Sequence, residues 1–361
     1  MPEQLSILEP PSELERLRET LGLTFANIDG ARLDAIEFRR RLESSLSGMV
    51  SEDTTVVVFG SLAREEFTSD SDVDWTLLID GMANPKHLDL AHQIRELLDN
   101  SGARQPGREG IFGNMAFSHE IIHQIGGEDD TNSKTTRRIL LTLESRPLGR
   151  RDAYDRVLNH VLSRYIAEDA RFLQESARFH VPRFLLNDIA RYWRTMAVDF
   201  AYKRRTRRQE GAAIRNIKLR MSRKLIFASG LLACFSGHLL LSPSELSDAM
   251  RAPNAAYEFV RHLRKVLSQT PLETIAAVIN RFDHLHGVGI KLFSSYDAFL
   301  GALRDSAQRN HLNNLKPGSE DHDELYQRLR TGSHGFRDAV LDLFFDEMSG
   351  LAQLTKTYGV F

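Results

Sequence analysis

Apolar positions fall into two regimes along this chain. Near the front, helical and extended patterns alternate. Ser12-Glu13-Leu14-Glu15 reads as a capping box, in which hydroxyl and carboxylate satisfy free backbone donors, so a helix is predicted to open there. Leu33, Ile36, Phe38 and Leu42 among charges predict a second helix from about Arg32 to Leu46. The texture changes at Thr54. Thr55-Val56-Val57-Val58-Phe59 is β-branched and apolar between polar flanks, as is Val73 to Ile79, which ends at the turn pair Asp80-Gly81. Both read as buried strands. Pro85 suits a first helical turn, followed by Leu88, Ile94, Leu97 and Leu98, and then an irregular glycine-rich stretch (Gly102, Gly107, Gly110, Gly113).

From about Thr131 the strand signal fades and helical spacing takes over: Ile139, Leu140 and Leu143, then Val157, Val161 and Leu162, then Arg183 to Tyr202, Ile214 to Phe235, Tyr257 to Leu267 and Asp338 to Leu351. Leu225 to Leu241 is the longest weakly polar run. With Ser229, Gly230, Ser236, Gly237 and His238 inside it, it falls short of the ~20 apolar residues of a membrane span and predicts a buried helix broken near a glycine. The expected fold class is α+β, a small mixed-sheet domain over residues 1–150 followed by an all-helical domain over residues 151–361. The boundary is expected near Pro147-Leu148-Gly149.

Composition narrows the classes. Of 361 residues, 42% are hydrophobic and 27% charged, close to globular averages, which excludes wholesale disorder. Lys plus Arg number 47 against 49 acids, so no overall basic field draws the chain to polyanions. The single cysteine, Cys234, excludes an internal disulfide framework and a Cys-cluster metal site. Residues 1–9 lack a basic start and a long apolar core, so no secretory leader is expected; the expected localisation is cytoplasmic, without membrane contact.

The chemistry concentrates in Gly60-Ser61-Leu62-Ala63-Arg64-Glu65-Glu66-Phe67-Thr68-Ser69-Asp70-Ser71-Asp72-Val73-Asp74. A strand ends in a Gly-Ser turn, a ten-residue excursion follows, and a second strand starts Asp-x-Asp. Residues two apart on an extended segment share a face, so Asp72 and Asp74 point the same way. Two crowded carboxylates repel unless a cation sits between them, and hard oxygen ligands of this kind suit Mg²⁺ with substrate phosphates. Gly60 admits close approach of a phosphate, and the Ser61 hydroxyl adds a donor. The plainer alternative is a surface turn rich in Ser and Asp.

This segment resembles the signature of the DNA polymerase β-type nucleotidyltransferase superfamily. Within it, Gly60 to Glu66 with Ser71-Asp72-Val73-Asp74 is most similar to the branch of PII uridylyltransferases and glutamine-synthetase adenylyltransferases. Leu141-Thr142-Leu143-Glu144-Ser145-Arg146-Pro147-Leu148 is similar to a leucine-rich segment of those uridylyltransferases. The resemblance spans roughly residues 50–150 and implies a metal-dependent enzyme that moves an NMP from an NTP to a hydroxyl of a protein, RNA or small molecule. It implies Mg²⁺ or Mn²⁺ in a two-metal arrangement on Asp72, Asp74 and a third carboxylate. Phe117 to Gln124 resembles the adenylyltransferase segment that supplies that acid, which makes Glu120 the candidate, with Asp129, Asp130 and Glu144 as rivals. Gly60 and Ser61 are expected to cradle phosphates, with Arg64 assisting.

Two further patterns compete or add. His119-Glu120-Ile121-Ile122-His123 reads His-Glu-x-x-His, which on a helix places two imidazoles on one face for Zn²⁺, with Glu144 as a third ligand; this is the alternative of a zinc hydrolase. Gly126-Gly127 ends any such helix early. Between Lys203 and Lys224 lie ten basic residues and one acid, beside an apolar stripe of Ile214, Ile217, Met221 and Leu225. Arg215, Lys218 and Ser222 edge that stripe as candidates for gripping a triphosphate. The same basic segment could instead form a groove for nucleic acid, or a solvated face. Tyr192-Trp193 could stack a base. A non-catalytic nucleotide-sensing protein is the remaining class.

Overall fold

The computed structural model describes residues 11–68, 70–102, 104, 111–168, 181–206 and 211–359. Helices α1 (Glu13–Leu21) and α2 (Ala26–Leu46) lead into strand β1 (Thr54–Phe59), the short helix α3 (Gly60–Ala63) and β2 (Trp75–Ile79). Then come α4 (Lys86–Asn100), β3 (Asn114–Phe117), α5 (Ser118–His123), α6 (Asn132–Leu143) and β4 (Ser145–Leu148). The rest is helical: α7 (Asp152–Glu168), α8 (Arg183–Thr206), α9 (Ala212–Lys218), a π-turn (Leu219–Arg223), α10 (Lys224–Leu239), α11 (Pro243–Arg251), α12 (Ala255–Leu267), α13 (Pro271–Arg281), α14 (His286–Arg304), α15 (Ser306–Asn314), α16 (Glu324–Phe344) and α17 (Leu351–Leu354). The α+β class stands.

The sheet has the order β3-β2-β1-β4. β1 runs antiparallel to both β2 (Val57 opposite Thr76) and β4 (Val57 opposite Pro147), while β2 and β3 are parallel (Thr76 opposite Asn114). All six residues of β1 are buried, which follows from helices covering both faces. Val56, Val58, Trp75 and Leu77 pack with Phe38, Leu42 and Leu46 of α2 and Ile94 and Leu98 of α4. Val57, Phe59 and Leu78 join the larger core of the rear helices. Each such side chain contributes roughly 1.5–3 kcal/mol on full burial.

The Ser12 capping box forms, with both reciprocal hydrogen bonds in place. The first helices do not stay with the sheet alone. α1 packs on α13 and α2 on α14. The Leu14 N–H donates to Glu273 Oε2 (2.9 Å), and Asp297 of α14 accepts from the Asn27 and Ile28 N–H groups (2.9 and 3.0 Å), capping α2 from 270 residues away.

Three sequence expectations need correction. Strand β4 lies where almost no strand signal is read; as an edge strand it tolerates Pro147. The Leu225–Leu241 helix does not break at a glycine: α10 runs through Gly230 and Gly237 and ends at Leu239. Gly230 serves close packing instead, since a Cβ there would meet Leu143 and Ile189 at 3.1–3.2 Å. The segment Asp338–Leu351 is interrupted between α16 and α17. Among the described residues no single helix is long and apolar enough to cross a membrane.

Candidate active site

β1 delivers the chain to Gly60, where φ is +65°, a left-handed value that a side chain resists. A second constraint acts at the same atom: a Cβ on Gly60 would lie 2.9 Å from Asp74 Oδ2. Only glycine lets the carboxylate rest on this turn. α3 then turns the chain away, and the Asp-x-Asp segment returns in extended form just ahead of β2. The Phe59 N–H donates to the Asp74 carbonyl (2.9 Å) and the Val73 N–H to the Arg104 carbonyl (2.9 Å). Val73 is buried on the core side, so alternation turns Asp72, exposed, and Asp74, half-buried, toward the other face.

That face is the floor of a cleft of about 1000 Å³ between the sheet unit and the rear helices. Gly60, Ser61, Arg64, Asp72 and Asp74 line it from below, and Lys218, Ser222, Arg223 and Arg309 line it from the helical side. Burial pushes the Asp74 carboxyl up to about 6; Arg223 and Arg64 oppose that shift, while Glu144 and Asp72 add to it. Burial also pulls the Lys218 ammonium down to about 8, reinforced by Arg309 and opposed by Asp72. Carboxylates and cations therefore face one another across open space, with Asp74 and Lys218 each held at some electrostatic cost.

Of the residues singled out from sequence, Gly60, Ser61, Arg64, Asp72, Asp74, Lys218 and Ser222 come together here; Arg215 and Glu120 do not. Arg64 is buried in an ion triad: its Nε donates to Glu66 Oε2 (3.0 Å) and its Nη1 pairs with Glu144 Oε2. Burial alone would lower its pKa, but Glu66 and Glu144 hold it well above the ordinary arginine value. Glu120 is half-exposed on α5, 3.8 Å from Arg137 Nη1. Among its rivals, Asp130 is bound to Arg138 (3.0 Å) and Arg191 (3.2 Å) away from the cleft, and Asp129 is exposed. Glu144 does line the cleft, with Oε1 3.4 Å from the Tyr192 hydroxyl.

The π-turn explains why Arg223 joins Lys218 and Ser222, whereas Arg215, on α9 ahead of that turn, does not line the cleft. On a straight α-helix Arg215, Lys218 and Ser222 share one edge. The wider turn at Leu219–Arg223 inserts about one extra residue and rotates the later positions by about 100°. Lys218, Ser222 and Arg223 then face the cleft. Arg309 carried no sequence signal, being 235 residues beyond Asp74 in an unremarkable helix. Of the remaining basic run, residues 207–210 and the side chains of Lys203 and Arg204 lie outside the described residues. Tyr192 is buried, and Trp193 stacks on Phe227 (5.4 Å between centroids).

His119 and His123 do share a face, their rings 4.9 Å apart, on a six-residue helix at the surface. Their expected partner Glu144 is buried against Arg64, and among the described residues no group of three or more His, Cys, Asp or Glu forms a metal cage.

The fold and this constellation define a strand–Gly-Ser-turn–Asp-x-Asp unit capped by helices. Residues 37–105 match the model of the nucleotidyltransferase domain family. No curated protein and no solved structure matches the chain significantly.

Proposed function

We propose that this protein transfers a nucleoside monophosphate from an NTP to a hydroxyl acceptor, with Asp72 and Asp74 holding Mg²⁺ or Mn²⁺. The observation that carries this reading is the Asp74 carboxylate, seated on Gly60, burdened by burial and by Asp72, and facing a wall of Lys218 and Arg223. The donor set fits the ion. Two hard carboxylates on one extended segment match Mg²⁺, which takes one or two carboxylates and completes its shell with water and phosphate oxygens. When bound, that ion supplies charge neutralisation for the triphosphate.

The chain's own groups do the positioning. The Ser61 hydroxyl and the backbone around Gly60 lie beneath the phosphates, and Lys218, Ser222 and Arg223 grip them from above. Both contributions lower the barrier by fixing geometry and offsetting developing charge. Glu144, the acid beside Asp74, is engaged by Arg64, so the reading assigns the ion to Asp72 and Asp74 and leaves Glu120 without a ligand role.

Incubation with each labelled NTP, Mg²⁺ or Mn²⁺ and a cell lysate is expected to move label onto one class of acceptor. Absence of transfer from all four NTPs under both ions would overturn the proposal. The zinc alternative is separable. The variant His119→Ala/His123→Ala is expected to keep transfer within about twofold of wild type, as for exposed substitutions away from a site. Stoichiometric zinc in purified protein, lost in that variant together with activity, would reverse the assignment.

A further inference from the structure

Thr68 and Asp70, between the Gly-Ser turn and Asp-x-Asp, are held from an unexpected place. Arg309, buried on α15, donates through Nη1 to Thr68 Oγ1 and through Nη2 to the Asp70 carbonyl (2.6 Å). Thr68 and Ser71 close a turn on themselves: the Ser71 N–H donates to the Thr68 carbonyl (2.9 Å), and their hydroxyls lie 2.9 Å apart. The Asp70 carboxylate is taken by Arg104 Nη2 (2.9 Å) and by the Ser306 hydroxyl at the start of α15 (3.1 Å). Asp72 follows two residues later. α15 also packs on α9, which ends at Lys218. One helix thus touches both the loop that presents a carboxylate and the helix that presents a facing cation.

We propose that Arg309 is a positioning residue for Asp72: its fork clamps Thr68 and Asp70 and fixes where that carboxylate stands relative to Asp74 and to the cationic wall. The inference rests on the functional reading above. A guanidinium suits the task because it satisfies two acceptors in fixed geometry, which an ammonium on a flexible stem does not. Groups that orient metal ligands from outside the coordination shell typically cost 10–100-fold in affinity when removed.

The test is Mn²⁺ affinity of the nucleotide-free protein, followed by the spin-resonance signal of free Mn²⁺, with the thermal midpoint recorded for each variant. Arg309→Lys keeps the charge but loses the fork. Thr68→Val keeps shape and leaves Arg309 in place while removing its side-chain acceptor, which guards against a misfolded first variant. Both are expected to weaken Mn²⁺ binding about tenfold or more, and in turnover to raise the Mg²⁺ concentration needed for half-maximal rate. Arg330→Lys, at a surface pair with Asp321 (3.0 Å), is expected to leave both unchanged. If wild type binds Mn²⁺ and both variants bind it equally well, the clamp is only structural and this inference alone is overturned. If wild type binds no Mn²⁺, the functional reading fails and takes this inference with it.

Discussion

Asp74→Asn is expected to lower nucleotidyl transfer by about a thousandfold, the upper range for losing one preorganised electrostatic group, while making the metal-free protein more stable. The two effects have opposite signs for one reason. Burial and the neighbouring Asp72 and Glu144 raise the Asp74 carboxyl to about 6, above its unfolded value. A raised acid binds more protons folded than unfolded, so stability falls as pH rises from about 4 to about 6, and the deficit persists above that range. Partial exposure of the residue keeps the penalty to about 2 kcal/mol at most. Asparagine carries no charge and avoids it. The variant is therefore expected to melt above wild type at pH 8, and the difference is expected to shrink toward pH 4. Adding Mg²⁺ with NTP is expected to raise the wild-type midpoint by mass action and to leave the variant unmoved. Thermal melts across pH, with and without Mg²⁺ and NTP, read all of this. Undiminished transfer by the variant in Mg²⁺ would remove Asp74 from the reaction.

The carboxylate pair and the Gly-Ser turn were legible in sequence because strand alternation and glycine permissiveness act over a few residues. β1, β2 and the first helices declared themselves in the same way, through local pattern and a complete capping box. The partners of the site were hidden because tertiary contacts set them. Arg309 reaches Thr68 across 241 positions with no motif at either end. Arg64 looked free for phosphate until Glu66, two residues on, and Glu144, eighty residues on, appeared on either side of it. The cationic edge was half legible. Helical spacing located Lys218 and Ser222, but the π-turn shifted the phase, and sequence periodicity carries no mark of such an insertion. Glu120 resembled a ligand by its local neighbours, whereas β3 ends before it and α5 turns its side chain toward Arg137.

Arg64→Met is expected to cost about 3–5 kcal/mol of stability, read as a fall of about 4–7 °C in Tm for a chain of this length. The guanidinium stands between two buried carboxylates and lies against both. Methionine fills similar space but, among the described residues, leaves Glu66 the Tyr296 hydroxyl (2.8 Å) and Glu144 that of Tyr192. Two buried acids of like sign then lie close together with no cation in contact with either among the described residues. Adding Glu144→Gln to Arg64→Met is expected to restore about half of the loss, because residues in one network couple and do not add. The cycle also decides what Arg64 is for. A phosphate grip would show as weakened NTP affinity at unchanged Tm, with no rescue by Glu144→Gln. A strut would show as lost Tm with rescue. The triad joins α3, α6 and, through Tyr296, α14, and these are the elements that hold the cleft floor against the helices above it. On the proposed function, Arg64 keeps the Asp74 side of the cleft at its distance from Lys218 and Arg223, and those two residues are the ones expected to meet the substrate's charge.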